Sequence, residues 1–225
     1  MLARLILQSA ILLVVNAALL FGAAGTLAWP AAWIFLIQLS AGGLLIGLWL
    51  ARHDPGLLAE RLSPTMQPGQ EAWDKLFLVI AAFLWGVWLI GMGLDAGRFH
   101  FWPVPIWVQA IGMLALFLSL AVVFLTFRVN SFAAPVVKIQ RERGHRVIAD
   151  GPYRHVRHPM YAGAALLFLG VPLLLGSWYG LALAPLLTVG LAIRAVLEER
   201  TLARDLDGYA DYAARVRCRL VPGIW

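Results

Sequence analysis

The residues best equipped for chemistry lie in two blocks of the C-terminal third. The first, RVIADGPYRHVRHPMYAG from Arg146 to Gly163, holds two prolines, two tyrosines, two histidines and three arginines. The second, Arg194, Glu198, Glu199 and Arg200, stands where a long apolar run ends. Guanidinium groups and carboxylates suit a charged small molecule, aromatic rings offer π faces to a cation, and an imidazole can hold a proton near neutral pH. Blander readings account for each block alone. The arginines can meet lipid phosphate, Asp150, Gly151 and Pro152 can make a turn, and Arg194 with Glu198 can form an i, i+4 ion pair. His155 and His158, spaced i, i+3, have no nearby cysteine or carboxylate to complete a zinc set, so no metal is expected. GMGLDA, Gly91 to Ala96, satisfies a dinucleotide-binding pattern but ends an apolar helix instead of joining strand to helix, and no acidic residue follows about 20 positions later. It reads as glycines at a helix end.

The elements that must position these blocks are membrane helices. Of 225 residues, 61% are hydrophobic and 13% charged, with a mean hydropathy of +0.79, more apolar surface than a soluble core of this length can hide. Segments of roughly 20 apolar residues recur at about 5 to 27, 31 to 50, 76 to 94 and 106 to 127. Two shorter ones follow at 160 to 176 and 178 to 197, parted by Gly176 and Ser177 and carrying Pro172 and Pro185. This predicts an all-α integral membrane protein of five to six spans, the last two forming a tilted or re-entrant helical hairpin. It forms a single domain over 1–225, with four N-terminal spans in 1–127 and a catalytic region in 128–225. The first apolar run is too long for a signal peptide and reads as a retained span.

Thirteen of the eighteen Lys and Arg residues lie from Arg128 onward, which predicts cytoplasmic N- and C-termini and a cytoplasmic site. The same placement assigns the net charge of +6 to orientation and anionic lipid; nucleic acid is not an expected partner. Trp29, Trp33, Trp73, Trp102, Trp107, Trp178 and Tyr179 fall near span ends and read as interfacial belt residues. Gly43 and Gly47 form a small-xxx-small pair suited to close helix approach. Cys218, the single cysteine, cannot form an intrachain disulfide.

The hairpin brings residues 151 to 161 and 194 to 200 to one rim. A polar pocket beneath lipid-level helices suits an enzyme joining a water-soluble cofactor to a lipophilic substrate. The blocks VKIQRERGHRVIADGPYRHVRHPMYAG, Val137 to Gly163, and EERTLARDLDGYADYAARVRCRLVPGIW, Glu198 to Trp225, resemble the isoprenylcysteine carboxyl methyltransferase family and its phospholipid methyltransferase relatives. The resemblance spans roughly the last 90 residues; the first four spans match only in hydrophobicity.

That resemblance implies S-adenosylmethionine as methyl donor, in a pocket formed by the cytoplasmic loop and C-terminal helix. Cofactor-contacting positions would be Gln140, His145, Arg146, Val147, Ile148, Tyr153, His158, Pro159, Met160 and Tyr161, with Glu198 as the carboxylate that holds the donor. The link from Gln140 to His145 is shorter here than in some eukaryotic members. Arg194 would orient the acceptor, and Arg194, Glu198 and His158 would form the catalytic set. The expected reaction is O-methylation of a carboxylate on an isoprenylcysteine-like substrate. N- or S-methylation of a lipid or small thiol is the alternative within the family, and would call on His158 as base. Outside it stands an NADPH-dependent membrane reductase resembling steroid 5-alpha-reductases. A transporter or scaffold leaves both blocks unexplained, and no ionisable residue sits in the middle of a predicted span.

Overall fold

A computed structural model describes all residues, 1–225, and contains helices and loops only. Five helices are long and apolar enough to cross a bilayer. These are α1 (Leu2–Ala24), α2 (Pro30–His53), α4 (Ala72–Met92, continued by a π-helical turn over Gly93–Phe99), α5 (Ile106–Val129) and α7 (Trp178–Asp205). Between them lie the short α3 (Pro55–Arg61) and the shorter apolar α6 (Pro159–Leu175), and α8 (Tyr209–Arg215) follows.

The hairpin is two continuous helices joined by a tight turn. Gly176 ends α6 at φ 80°, a left-handed conformation that glycine adopts without steric cost. Ser177 then caps α7, its Oγ accepting from the Gly180 N–H at 3.0 Å and donating to Asp95 Oδ2 at 2.6 Å. The lengths of the two helices differ, and the difference matters. At 1.5 Å per residue, the 17 residues of α6 span about 26 Å and the 28 of α7 about 42 Å, against a hydrocarbon core of about 30 Å. The last turns of α7 therefore stand out of the apolar layer, and the helix runs to Asp205 where the sequence suggested an end at 197. Hydropathy stops at the charged Glu198, whereas the backbone continues.

Helices α5 and α6 touch backbone to backbone. A Cβ on Gly112 would lie 2.2 Å from Leu174 N, and one on Gly170 would lie 2.8 Å from Leu116 N, so each glycine admits the other helix. The expected Gly43 and Gly47 pair does not work this way. Gly47 seats the Leu5 side chain, with its missing Cβ position 2.6 Å from Cδ1, and Gly43 faces open space. Trp29 also departs from the belt reading: it is 8% exposed because Gly97 leaves room for its ring. Of the glycines of GMGLDA, Gly93 serves packing, lying against Ala23 and Leu20 of α1, whereas Gly91 faces open space.

Leu20, Phe35, Leu89, Met92, Leu116 and Val171, each from a different part of α1, α2, α4, α5 or α6, are essentially inaccessible and form the main core. A second cluster of Leu5, Leu50, Leu57 and Phe127 gathers the start of α1, the end of α2, α3 and the end of α5. At this end Gln8 Nε2 donates to Leu62 O at 3.1 Å. The start of α1 thus shares one end of the bundle with the starts of α4 and α6, the end of α7 and the C-terminal segment.

Candidate functional site

The polar end of the bundle is roofed by residues 130–158, an irregular segment with two short 3₁₀ turns. Beneath it lies a cavity walled by the roof, α6, α7 and α8. The end of α5 anchors the roof: Asn130 Nδ2 donates to the Tyr153 hydroxyl at 2.6 Å. From the other side α8 closes it, with Tyr212 Oη donating to Tyr153 O at 2.9 Å. Burial raises the Tyr212 hydroxyl to about 12 and drives Tyr153 higher still, so both stay neutral donors at physiological pH.

His158 is the N-cap residue of α6, and Pro159 occupies the first turn, where its missing N–H costs nothing. The main chain here is strapped down from the C-terminal segment: Arg157 N donates to Cys218 O and His158 N to Arg219 O, both at 2.9 Å. The His158 ring stacks parallel on Tyr161 with centroids 5.3 Å apart. Its Nε2 lies 3.1 Å from Glu199 Oε1, and its Nδ1 lies 3.8 Å from Glu198 Oε2.

The adjacent carboxylates Glu198 and Glu199 have unlike environments. Glu199 faces inward among Arg157 at 2.9 Å, Arg219 at 2.9 Å and His158. Glu198 lines the cavity, accepts one bond from Tyr161 Oη at 2.6 Å, and has no arginine or lysine within ion-pair distance. It is the one acidic side chain on the cavity wall.

Arg194 also lines the cavity, but its partner is not Glu198. Nε and Nη2 approach Asp74 Oδ1 at 2.9 and 2.8 Å, Nη2 donates to Pro135 O at 2.9 Å, and the guanidinium sits near the rings of Phe77 and Tyr161. The i, i+4 pair gives way because Asp74, fully buried in the first turn of α4, would otherwise be an uncompensated charge.

Of the residues expected at a cofactor site, His145, Arg146, Val147, Ile148, Tyr153, His158, Met160, Tyr161 and Glu198 line the cavity. His145 stacks on Phe132 at 4.6 Å, and burial holds its imidazole below the ordinary histidine value. Gln140 and Pro159 do not line it. Gln140 is 1% exposed; its Nε2 donates to Phe132 O and its Oε1 accepts from Arg143, so both ends of the amide brace the roof. Pro159 is spent on starting α6. Sequence reasoning missed Asp74, Asn130, Phe132, Tyr209 and Tyr212. For Asp74 a signal existed, a lone carboxylate opening an otherwise apolar helix; the others become visible only once α5 and α8 close over the roof.

No curated protein matches the chain. The stretch from Trp107 to Asp207 matches the phospholipid methyltransferase family model, covering α5, the roof, the α6–α7 hairpin and most of the cavity wall. The cavity-building part of this multi-pass protein is therefore similar to the phospholipid methyltransferases, and the match takes in all of the first sequence block and the opening residues of the second.

Proposed function

We propose that this protein transfers a methyl group from S-adenosylmethionine to a lipophilic acceptor at the cytoplasmic face of a membrane. The observation that carries the reading is Glu198, a cavity carboxylate without a cationic partner among tyrosine and histidine rings. An unpaired carboxylate in a partly desolvated site favours a cationic ligand, and π faces add to that preference. The chemistry of the wall therefore fits a donor bearing an ammonium and a sulfonium. Glu198 would hold the ammonium, and Tyr153, Tyr161 and His145 would flank the rest.

Bound there, S-adenosylmethionine supplies an electrophilic methyl group whose transfer demands in-line alignment. The protein's share is alignment and exclusion of water. Tyr161 is fixed by its bond to Glu198 and its stack on His158, so the ring nearest the carboxylate is preorganised. His158 Nε2 is engaged by Glu199, leaving Nδ1 as the atom able to take a proton from an amine or thiol acceptor. Neither bond from Arg194 to Asp74 uses Nη1, so Arg194 retains a donor for the acceptor group. The acceptor group, whether an isoprenylcysteine-like carboxylate or a lipid amine or thiol, would meet this donor, and its charge is the subject of the inference below. The cytoplasmic placement is supported by the thirteen basic residues from Arg128 onward.

Calorimetry on the purified protein tests the donor: S-adenosylhomocysteine binds and NADPH does not. Binding of NADPH alone would replace the methyltransferase with the reductase reading. Incubating native lipid extract with a deuterated-methyl donor and following the mass shift identifies the acceptor.

A further inference from the structure

Asp74 is the most enclosed charge in the protein. It is 0% exposed, and its two oxygens receive four N–H approaches. Oδ1 takes Arg194 Nε and Nη2, and Oδ2 takes Gln70 Nε2 at 2.9 Å and Val137 N at 2.8 Å. The Arg194 guanidinium, the cavity cation deepest along α7, is therefore neutralised from behind by a carboxylate about 3 Å away. Every other cation near the wall is either similarly matched, as Lys138 with Glu60 and Arg157 with Glu199, or lies at the open mouth, as the exposed Arg146 does.

We infer that Asp74 is a specificity-determining positioning residue: it aims Arg194 into the acceptor side of the cavity while cancelling its charge, so that the site discriminates against anionic acceptors. This rests on the proposed placement of the acceptor at Arg194. A guanidinium with no other anion beside it draws a carboxylate most strongly. Here an incoming anion meets the attraction of Arg194 and, one guanidinium further back, the repulsion of Asp74, which is weakly screened in a water-poor site. The Arg194 group keeps its hydrogen-bonding direction and loses most of its long-range pull. A purely structural tether between α4 and α7 would hold the helices equally well but would leave no mark on acceptor charge.

The test uses the full chain in nanodiscs of zwitterionic lipid and two probe amphiphiles with identical tails, N-dodecanoylglycine and its uncharged amide. S-adenosylhomocysteine binding is measured first: if it fails in the wild type, the proposed function falls and the present inference falls with it, by a result distinct from those below. With that binding established, wild-type protein binds the carboxylate no more tightly than the amide. Asp74→Asn raises the carboxylate-to-amide affinity ratio on the order of tenfold or more, and Asp74→Glu restores the wild-type ratio. A wild-type protein that prefers the carboxylate tenfold overturns the inference without any variant. So does an Asp74→Asn protein whose ratio is unchanged, or one that loses both amphiphiles equally.

Discussion

Replacing Glu198 with glutamine separates a carboxylate that binds from one that braces. The change keeps shape and the bond from Tyr161 while removing the one negative charge on the cavity wall. Two unit charges 4 Å apart interact by about 4 kcal/mol at an effective dielectric of 20. The Glu198 side chain is 25% exposed, and solvent screening reduces this toward about 2 kcal/mol, or about 30-fold in dissociation constant. Titration calorimetry with S-adenosylhomocysteine reads this directly. The control is Glu199→Gln, one residue away, where three cationic or imidazole partners lose their anchor. That change lowers stability by about 3 kcal/mol and weakens ligand binding less than Glu198→Gln does. Wild-type affinity in Glu198→Gln, or the two variants exchanging phenotypes, would refute the assignment of the cation site to Glu198.

Other consequences follow from particular contacts. Gly112→Ala sets a methyl group against the α6 backbone at 2.2 Å and forces the helices apart, which costs about 3 kcal/mol or more; the yield of monodisperse protein falls sharply, whereas Gly43→Ala, facing open space, leaves it unchanged. Tyr212→Phe loses the bond to Tyr153 O, about 1 kcal/mol, and hydrogen exchange in 150–156 rises. His145 gives a pH dependence of definite sign. Burial lowers its folded value below the ordinary 6.5, so the unfolded chain binds the proton first. Its contribution is complete above pH 6.5 and declines as the pH falls below that toward the folded value. Melting temperatures from pH 7.5 to 5.5 show this slope, and His145→Gln flattens it.

The fold was legible where hydropathy and helix-ending chemistry agree: four long spans, the Gly176 and Ser177 turn, and the start of α6 all lie within a few residues of their expected places. It was misread where a residue's role depends on what faces it. Gly43 and Gly47 carry the spacing of a packing motif, yet the close approach is made by Gly112 and Gly170, which lie 58 residues apart and show no common pattern until α5 and α6 are side by side. The end of α7 was placed too early for a related reason. Hydropathy reports where lipid ends, and the functional part of α7 is the part that leaves it.

The same reasoning explains what happened to Arg194. Local spacing offered Glu198 as its partner, and i, i+4 geometry makes that pair sound by itself. The structure instead reaches 120 residues back to Asp74, and this exchange is what leaves Glu198 unpaired at the cavity. An arginine paired with Glu198 would have yielded a neutral wall with no preference for a cation. Because Asp74 takes the guanidinium, one buried pair fixes α4 against α7 while a single negative charge stays available one helical turn further out. The cation-binding character of the site therefore originates in the opening turn of α4, outside both sequence blocks that first marked it.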